Sequence, residues 1–301
     1  MATKLTIARV LEEGLALEGR RVLSPWRAGV LLRRATQRIP PEHRRWERVP
    51  SSEGEIERIL RRLAGQGELR PLEGVVGLYV VASPFAQQGP IAEDEILMEL
   101  HPYATLSHLS ALVFHGLTDL LPHEFHATIG TNQDELPVGT DAGDWDGVSL
   151  TRARPVREIR GVPIRWHRLS RGSGVTGASL YQPRGYPVRV TDPEMSLLDG
   201  LLHPEWCGGF ENVLQAWQRA SDTLDVDRIV DHVELCDMAI LRQRAGWVLE
   251  QLGVTDARLD EWATRAVRGG SSRLVGSAPF APRFSERWKL SLNAPTAALE
   301  S

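Results

Sequence analysis

Residues 51–81 read SSEGEIERILRRLAGQGELRPLEGVVGLYVV, and the order of signals within them decides how the N-terminal third is expected to fold. Ser52 with Glu55 three positions later is a capping-box pattern. Behind it, Ile56, Ile59, Leu60 and Leu63 repeat at helical spacing and mark one apolar face, while Arg58, Arg61 and Arg62 lie off that stripe. Gly65 and Gly67 stop the helix. Residues 69–72 and 75–81 then predict two strands joined at Glu73-Gly74, a hairpin. A helix that carries arginines and runs into a hairpin is the back half of a winged helix-turn-helix. Such a unit presents the helix to the DNA major groove and the hairpin to flanking phosphates.

Upstream, residues 5–19 carry helical periodicity through Leu5, Ala8, Leu11 and Leu15, closed by Gly19. Ser24-Pro25-Trp26 starts a second helix, serine as N-cap and proline in the first turn, expected to reach about Arg34. Residues 36–50 are polar and rich in arginine. The DNA-reading head is therefore placed at residues 1–85, with contacts assigned to Arg33, Arg34, Arg38, Arg44, Arg45, Arg48, Arg58, Arg61 and Arg62, joined by Ser52 and by Arg70 on the first hairpin strand. Charge supports the division. The chain's net charge is −4, yet residues 1–70 hold 15 Lys+Arg against 9 Asp+Glu, leaving 20 against 30 for the remainder. A basic head on an acidic body fits a nucleic-acid reader joined to a unit of another function.

Residues 83–89, rich in Pro, Gly and Gln, read as a hinge. Beyond it, a second unit is expected over residues 90–295. Helices are predicted at 91–100 and 105–115, then strands at 124–129, 147–150, 162–169 and 186–190, with a polar loop at 130–146. The last third is helical, at 193–203, 209–221, 225–234, 238–252 and 256–267, with a closing strand near 288–292. The fold class expected is α+β: a winged helix-turn-helix followed by a larger mixed α/β domain with a helical C-terminal third.

No stretch approaches eighteen apolar residues, so no membrane span is expected. The N-terminal residues lack the apolar core of a signal peptide, and a cytoplasmic chain is expected. Cys207 and Cys236 form no metal or disulfide pattern. His101, His108 and His115 are spaced by seven, too far for one ion on a helix, and His123 and His126 face opposite sides of a strand. No metal or other cofactor is expected from these spacings. Gly269-Gly270 follows a helix instead of preceding one, which is the wrong order for phosphate capture. No nucleophile elbow occurs, so an enzyme has no constellation behind it and the chain is expected to be a non-enzyme. Asp192-Pro193-Glu194 could be read as an acidic catalytic motif, but a helix start explains it better: Asp192 as N-cap, Pro193 in the first turn and Glu194 at the positive dipole end.

Four blocks carry a resemblance. Residues 103–117 read YATLSHLSALVFHGL; residues 190–194 read VTDPE and are followed by Leu197-Leu198-Asp199, Pro204-Glu205 and Gly208-Gly209; residues 244–249 read RAGWVL, before Leu252-Gly253; residues 288–293 read WKLSLN. In this order they resemble segments of the AbiEi-family antitoxins. The resemblance implies a winged helix-turn-helix joined to a larger antitoxin domain. It implies repression of the protein's own operon through inverted repeats in its promoter, which leaves room for a homo-oligomer on double-stranded DNA. It also implies neutralisation of a nucleotidyltransferase-type toxin without a required direct contact, in a type IV toxin-antitoxin system serving phage defence by abortive infection. The arginine-rich stretch 35–50 is longer than a minimal winged helix needs, a departure from the family. The alternative reading is a ligand-sensing winged-helix transcription factor, with an enzyme acting on nucleic acid third.

Overall fold

The Thr6 hydroxyl accepts the Arg9 backbone N–H at 3.2 Å and starts the first helix, α1 (Ile7–Leu17). The computed structural model describes residues 4–50, 52–82, 90–130, 135–153, 155–169, 174–296 and 299. After α1 come β1 (Val22–Leu23) and α2 (Pro25–Arg38), the latter capped by Ser24 with Pro25 in its first turn. α2 continues past Arg34 because its apolar face stays buried through Ala35. α3 (Glu53–Gly65) buries Ile56, Leu60 and Leu63 and is capped by Ser52, whose hydroxyl accepts from Glu55 N–H at 3.3 Å. β2 (Leu69–Pro71) and β3 (Tyr79–Val81) follow, and the sheet order is β1-β3-β2, antiparallel throughout. The hairpin connection is longer than the Glu73-Gly74 turn expected. The strands stop at Pro71, and a loop closed by Leu72 N–H to Leu78 O (2.9 Å) carries the buried Leu72 and Leu78 away from the sheet.

The expected hinge, residues 83–89, lies outside the described residues, as do residues 131–134 of the expected polar loop. The chain resumes with α4 (Glu93–Leu100), β4 (Ala104–Leu106), α5 (His108–Phe114) and β5 (Phe125–Ile129). Thr105 and Leu106, expected in a helix, are strand. They sit between two neighbours and are buried on both faces, and a short apolar run of this kind does not reveal its own period. No strand forms at 147–150. A 3-10 turn, Ala142–Trp145, precedes it, closed by a reciprocal Asp141–Asp144 capping box.

β6 (Glu158–Ile159) and β7 (Val162–Arg168) form a two-residue hairpin whose central Arg160 and Gly161 both have positive φ (51° and 82°), the twist such turns require. β8 (Ala178–Tyr181) and β9 (Val188–Thr191) complete a mixed sheet in the order β6-β7-β5-β4-β9-β8, with β4–β9 and β5–β7 parallel. The final third follows as α6 (Pro193–Leu202), α7 (Phe210–Ala220), α8 (Val226–Cys236), α9 (Ala239–Gln251), α10 (Ala257–Thr264) and the short pair β10 (Phe284–Ser285) and β11 (Leu290–Ser291). The molecule is thus α+β, with a helical C-terminal third.

Packing ties the N-terminal unit to the rest. Val22, Trp26, Val30, Leu72 and Leu78 share one hydrophobic cluster with Ile96, Leu97, Met98, Ala127 and Tyr186. At its edge, the buried Glu99 carboxylate accepts from Arg20 Nη1 (2.8 Å), Arg27 Nε (3.1 Å) and the Ser24 hydroxyl (2.5 Å). The Trp26 indole donates to the Glu99 carbonyl at 2.8 Å. Glu95 accepts the backbone N–H groups of Arg21 (2.6 Å) and Val22 (2.9 Å). The net effect of burial is to hold the Glu95 carboxyl above its usual range, against those two hydrogen bonds. Asp192 caps α6 as expected, accepting from Met195 N–H at 2.8 Å. It also takes Arg228 Nε (2.9 Å) and His232 Nε2 (2.9 Å), contacts that its position in the sequence does not announce.

Two substitutions follow. Glu99→Gln keeps the shape but leaves the buried Arg20 and Arg27 guanidiniums only Glu18 as carboxylate partner (3.0 and 3.4 Å). Stability should therefore fall by about 3 kcal/mol, the low end for a broken buried pair. An unchanged urea midpoint would contradict this. Asp192→Ala should cost roughly 2 kcal/mol, more than the ~1 kcal/mol of a lost cap alone, because His232 loses a buried hydrogen-bond acceptor while the half-exposed Arg228 adds little. A loss no larger than a cap's would show the Arg228 and His232 contacts to be energetically idle.

Candidate functional site

On the outer face of the N-terminal unit, the packing of α3 turns its charged side outward. Arg58, Arg61 and Arg62 are exposed, while Ile56 and Leu60 point inward. Beside them, the stretch after α2 is pinned by Arg44, whose guanidinium donates to the carbonyls of Trp46 and Glu47 (both 3.2 Å) and lies over the Trp46 ring. The Trp46 indole donates to the Thr36 hydroxyl at 2.8 Å. This leaves Arg45 and Arg48 pointing outward. Arg45, Arg48, Arg58 and Arg62 line one open cleft of about 490 Å³ together with Ile7, Trp46 and Ile59. The acidic group at the cleft is Glu55, paired with Arg48 at 3.0 Å.

The other expected contact residues divide. Arg38 is exposed at the end of α2, Arg61 is exposed with Glu57 at 3.8 Å, and Arg70 is exposed on β2. Ser52 is engaged as the cap of α3. Arg33, Arg34 and Arg44 are not offered to a partner. Arg33 Nε donates to the Asp144 carbonyl at 2.6 Å, and its guanidinium lies over the Trp145 ring. Arg34 holds the Asp144 carboxylate through Nε (2.7 Å) and Nη2 (2.6 Å), and Glu18 through Nη1 (2.6 Å). The physical reason is position. Arg33 and Arg34 lie on the side of α2 that meets the 3-10 turn 142–145, and Arg44 faces inward. The hairpin loop is likewise engaged, since Leu72 and Leu78 pack into the body and Gly74 lies beside Arg160.

A second constellation lies in the body. Parallel pairing of β5 with β7 sets Thr128 opposite His167 and His126 opposite Arg165. His126 and His167 therefore share one face of the sheet, and their facing nitrogens, Nδ1 and Nε2, are 3.1 Å apart. His108, at the start of α5, places its ring centroid 4.2 Å from that of His167. It does so with φ +52°, a left-handed backbone that a non-glycine residue adopts only when its surroundings hold it there. The His108 backbone N–H donates to the Asp199 carboxyl. His108 Nδ1 lies 2.9 Å from the Ser107 hydroxyl, which in turn accepts from Thr128. His108, His167, Thr128 and Asp199 open onto a cavity of about 560 Å³, also lined by His203, Trp206, Met195 and Cys236.

Spacing along the chain separates the histidines of 101–126; the structure keeps His101 and His115 in other surroundings but brings His108 and His126 together, with ring centroids 5.8 Å apart. His101 packs on Trp166 (4.9 Å between centroids), and His115 Nε2 contacts the Thr191 carbonyl at 2.7 Å. The sequence pattern carried no sign of His167 or His203 joining His108 and His126. Both strands bearing His126 and His167 were legible as strands, but their adjacency in parallel was not.

Burial, more than any neighbour, holds the His108, His126 and His167 imidazoles below their ordinary value, at about 2, about 4 and about 4. Burial followed by the nearby Asp192 charge pushes Asp199 up to about 7. The cluster is neutral in neutral solution.

No family model and no curated relative matches the chain. A solved structure does: the RV2827C protein from Mycobacterium tuberculosis superposes over 98% of this chain and 93% of its own, with a TM-score of 0.54 and 14% identity. That likeness extends over both units and is one of fold alone.

Unfolding returns each imidazole to about 6.5, so below that pH the unfolded chain binds protons that the folded chain refuses. Stability of chelator-treated protein should therefore fall as pH drops from about 6.5 to about 4. Asp199, protonated in the folded chain and ionised in the unfolded one, partly offsets this over the same range. Replacing His126 and His167 together with Gln should flatten the pH dependence of the unfolding free energy by up to about two protons. An identical slope in the variant would rule the cluster out as the cause.

Proposed function

We propose that the protein is a DNA-binding transcriptional repressor that also serves as the antitoxin of a toxin-antitoxin operon, of the AbiEi kind. The observation that carries the reading is the cleft at the outer face of α3, where Arg45, Arg48, Arg58 and Arg62 converge on a helix that leads into a hairpin. The element order α1-β1-α2-α3-β2-β3 supports reading the N-terminal unit as a winged helix-turn-helix, in which α3 is the helix proposed to read the major groove. Guanidiniums around such a helix suit phosphate oxygens and guanine edges. The partner proposed is double-stranded DNA, at inverted repeats in the protein's own promoter. The second partner is a nucleotidyltransferase-type toxin, counteracted without a required contact, in the cytoplasm. No catalytic role is assigned. A second reading, a ligand-sensing winged-helix transcription factor, is favoured by the 560 Å³ cavity in the body.

Fluorescence anisotropy of the full chain on its promoter tests the reading. With about four phosphate contacts, log affinity should fall with log salt at a slope near −4. Replacing Arg45, Arg48, Arg58 and Arg62 with alanine should abolish the preference for promoter over random DNA. Melting should hardly move, because these side chains are exposed. Replacing Arg33 and Arg34 should instead lower the melting temperature. Salt-independent affinity, or no preference for the promoter in the unaltered chain, would reject DNA reading. Co-expression with a nucleotidyltransferase encoded next to the protein should restore growth. Failure to do so removes the antitoxin role and leaves repression standing. Release of the promoter by a small molecule would favour the second reading.

A further inference from the structure

We propose that His108, His126 and His167 bind one zinc ion, each through one ring nitrogen. One nitrogen from each ring lies within 4.8 Å of the other two. Two imidazoles bound to a tetrahedral zinc at about 2.0–2.1 Å have their nitrogens about 3.3 Å apart. His126 Nδ1 and His167 Nε2, at 3.1 Å, already meet that spacing. The third nitrogen, from His108, lies within 4.8 Å of both, so a small shift of that ring closes the site. Two ligands stand on adjacent strands of the sheet and the third at the start of α5, so the scaffold beneath them is rigid.

The neighbours of the rings complete the argument. A zinc-bound histidine ordinarily donates its other N–H to an oxygen that fixes its tautomer. For His126 the candidate is a carboxylate oxygen of Glu124, 3.5 Å from Nε2 and so a near neighbour short of a formed hydrogen bond, itself held by Arg165 Nε at 2.8 Å. For His108 it is the Ser107 hydroxyl, 2.9 Å from Nδ1, which leaves Nε2 as the donor to metal. A purely structural cluster has little reason to be built this way. Three polar rings in a largely buried corner give up hydration, and an aromatic hydrocarbon would fill the same volume without that cost. Imidazole donors without thiolate suit zinc among the common divalent ions, whereas calcium and magnesium want oxygen. Three protein ligands beside a 560 Å³ cavity leave the fourth position to solvent or a small anion, the arrangement of an open zinc site.

The test uses the full chain, stripped with chelator, desalted and titrated with zinc chloride. Bound metal is measured by elemental analysis after gel filtration, and Co²⁺ serves as a spectroscopic probe of tetrahedral nitrogen coordination. One zinc per chain is expected, with a higher melting temperature in its presence and an intense tetrahedral Co²⁺ spectrum. His126→Ala with His167→Ala should weaken binding at least tenfold and abolish both the melting shift and the spectrum. His43→Ala, exposed in the N-terminal unit, should leave all three unchanged. Should the double variant fold poorly, His126→Gln alone is scored by the Co²⁺ spectrum at matched ellipticity. The proposal is overturned if the unaltered chain retains no stoichiometric zinc, if Co²⁺ gives only an octahedral spectrum, or if folded variants bind zinc as the parent does.

Discussion

The buried carboxylate of Glu99 is the most demanding of the contacts that hold the two parts of this protein in one arrangement. It stands on α4, beyond the expected hinge, and everything that satisfies it comes from before that hinge: Arg20, Arg27 and Ser24. A charge out of water is tolerated only when paired and fully hydrogen-bonded. The Glu99 node therefore works as a positional constraint, because turning the N-terminal unit would strand the Glu99 carboxylate and leave Arg20 and Arg27 to Glu18 alone. Glu95, one helical turn away, adds a backbone constraint. It accepts two N–H groups beside β1 and so anchors the outer edge of the small sheet.

Fixing that orientation sorts the arginines. The N-terminal unit's positive balance is smaller than its residue count implies, because Arg20, Arg21, Arg27, Arg33 and Arg34 answer carboxylates or carbonyls of the neighbouring elements. Arg45, Arg48, Arg58, Arg61 and Arg62 remain exposed, on α3 and the stretch before it. Arg44 shows the same sorting within the unit. It is spent on Trp46 and Glu47 carbonyls, and in doing so it gives the segment bearing Arg45 and Arg48 a defined path. The long arginine-rich stretch thus contributes both a support and a charged wall.

The histidine cluster arises differently, from strand topology. His126 and His167 are separated by forty-one positions, and they meet because β7 adds in parallel beside β5. A parallel pair needs a long crossover, so its members cannot be adjacent in sequence, and no local spacing rule detects them.

Local signals carried much of the architecture. The serine cap, the 3.6-residue stripe and the glycine stop placed α3 to within a residue, and Asp192-Pro193 marked the start of α6, because caps and turns are decided by a few neighbouring bonds. The helical last third was legible from periodicity for the same reason. Where burial on both faces erased the period, as at Thr105 and Leu106, strand was mistaken for helix. Composition likewise showed that the N-terminal unit is basic, which is a sum over residues and needs no coordinates. Which arginines face outward, which carboxylate they answer to, and which histidines share a corner are properties of distance between segments far apart in the chain. Only the tertiary structure decided them, because burying Glu99 and pairing β5 with β7 in parallel are long-range events whose free energy no local segment contains.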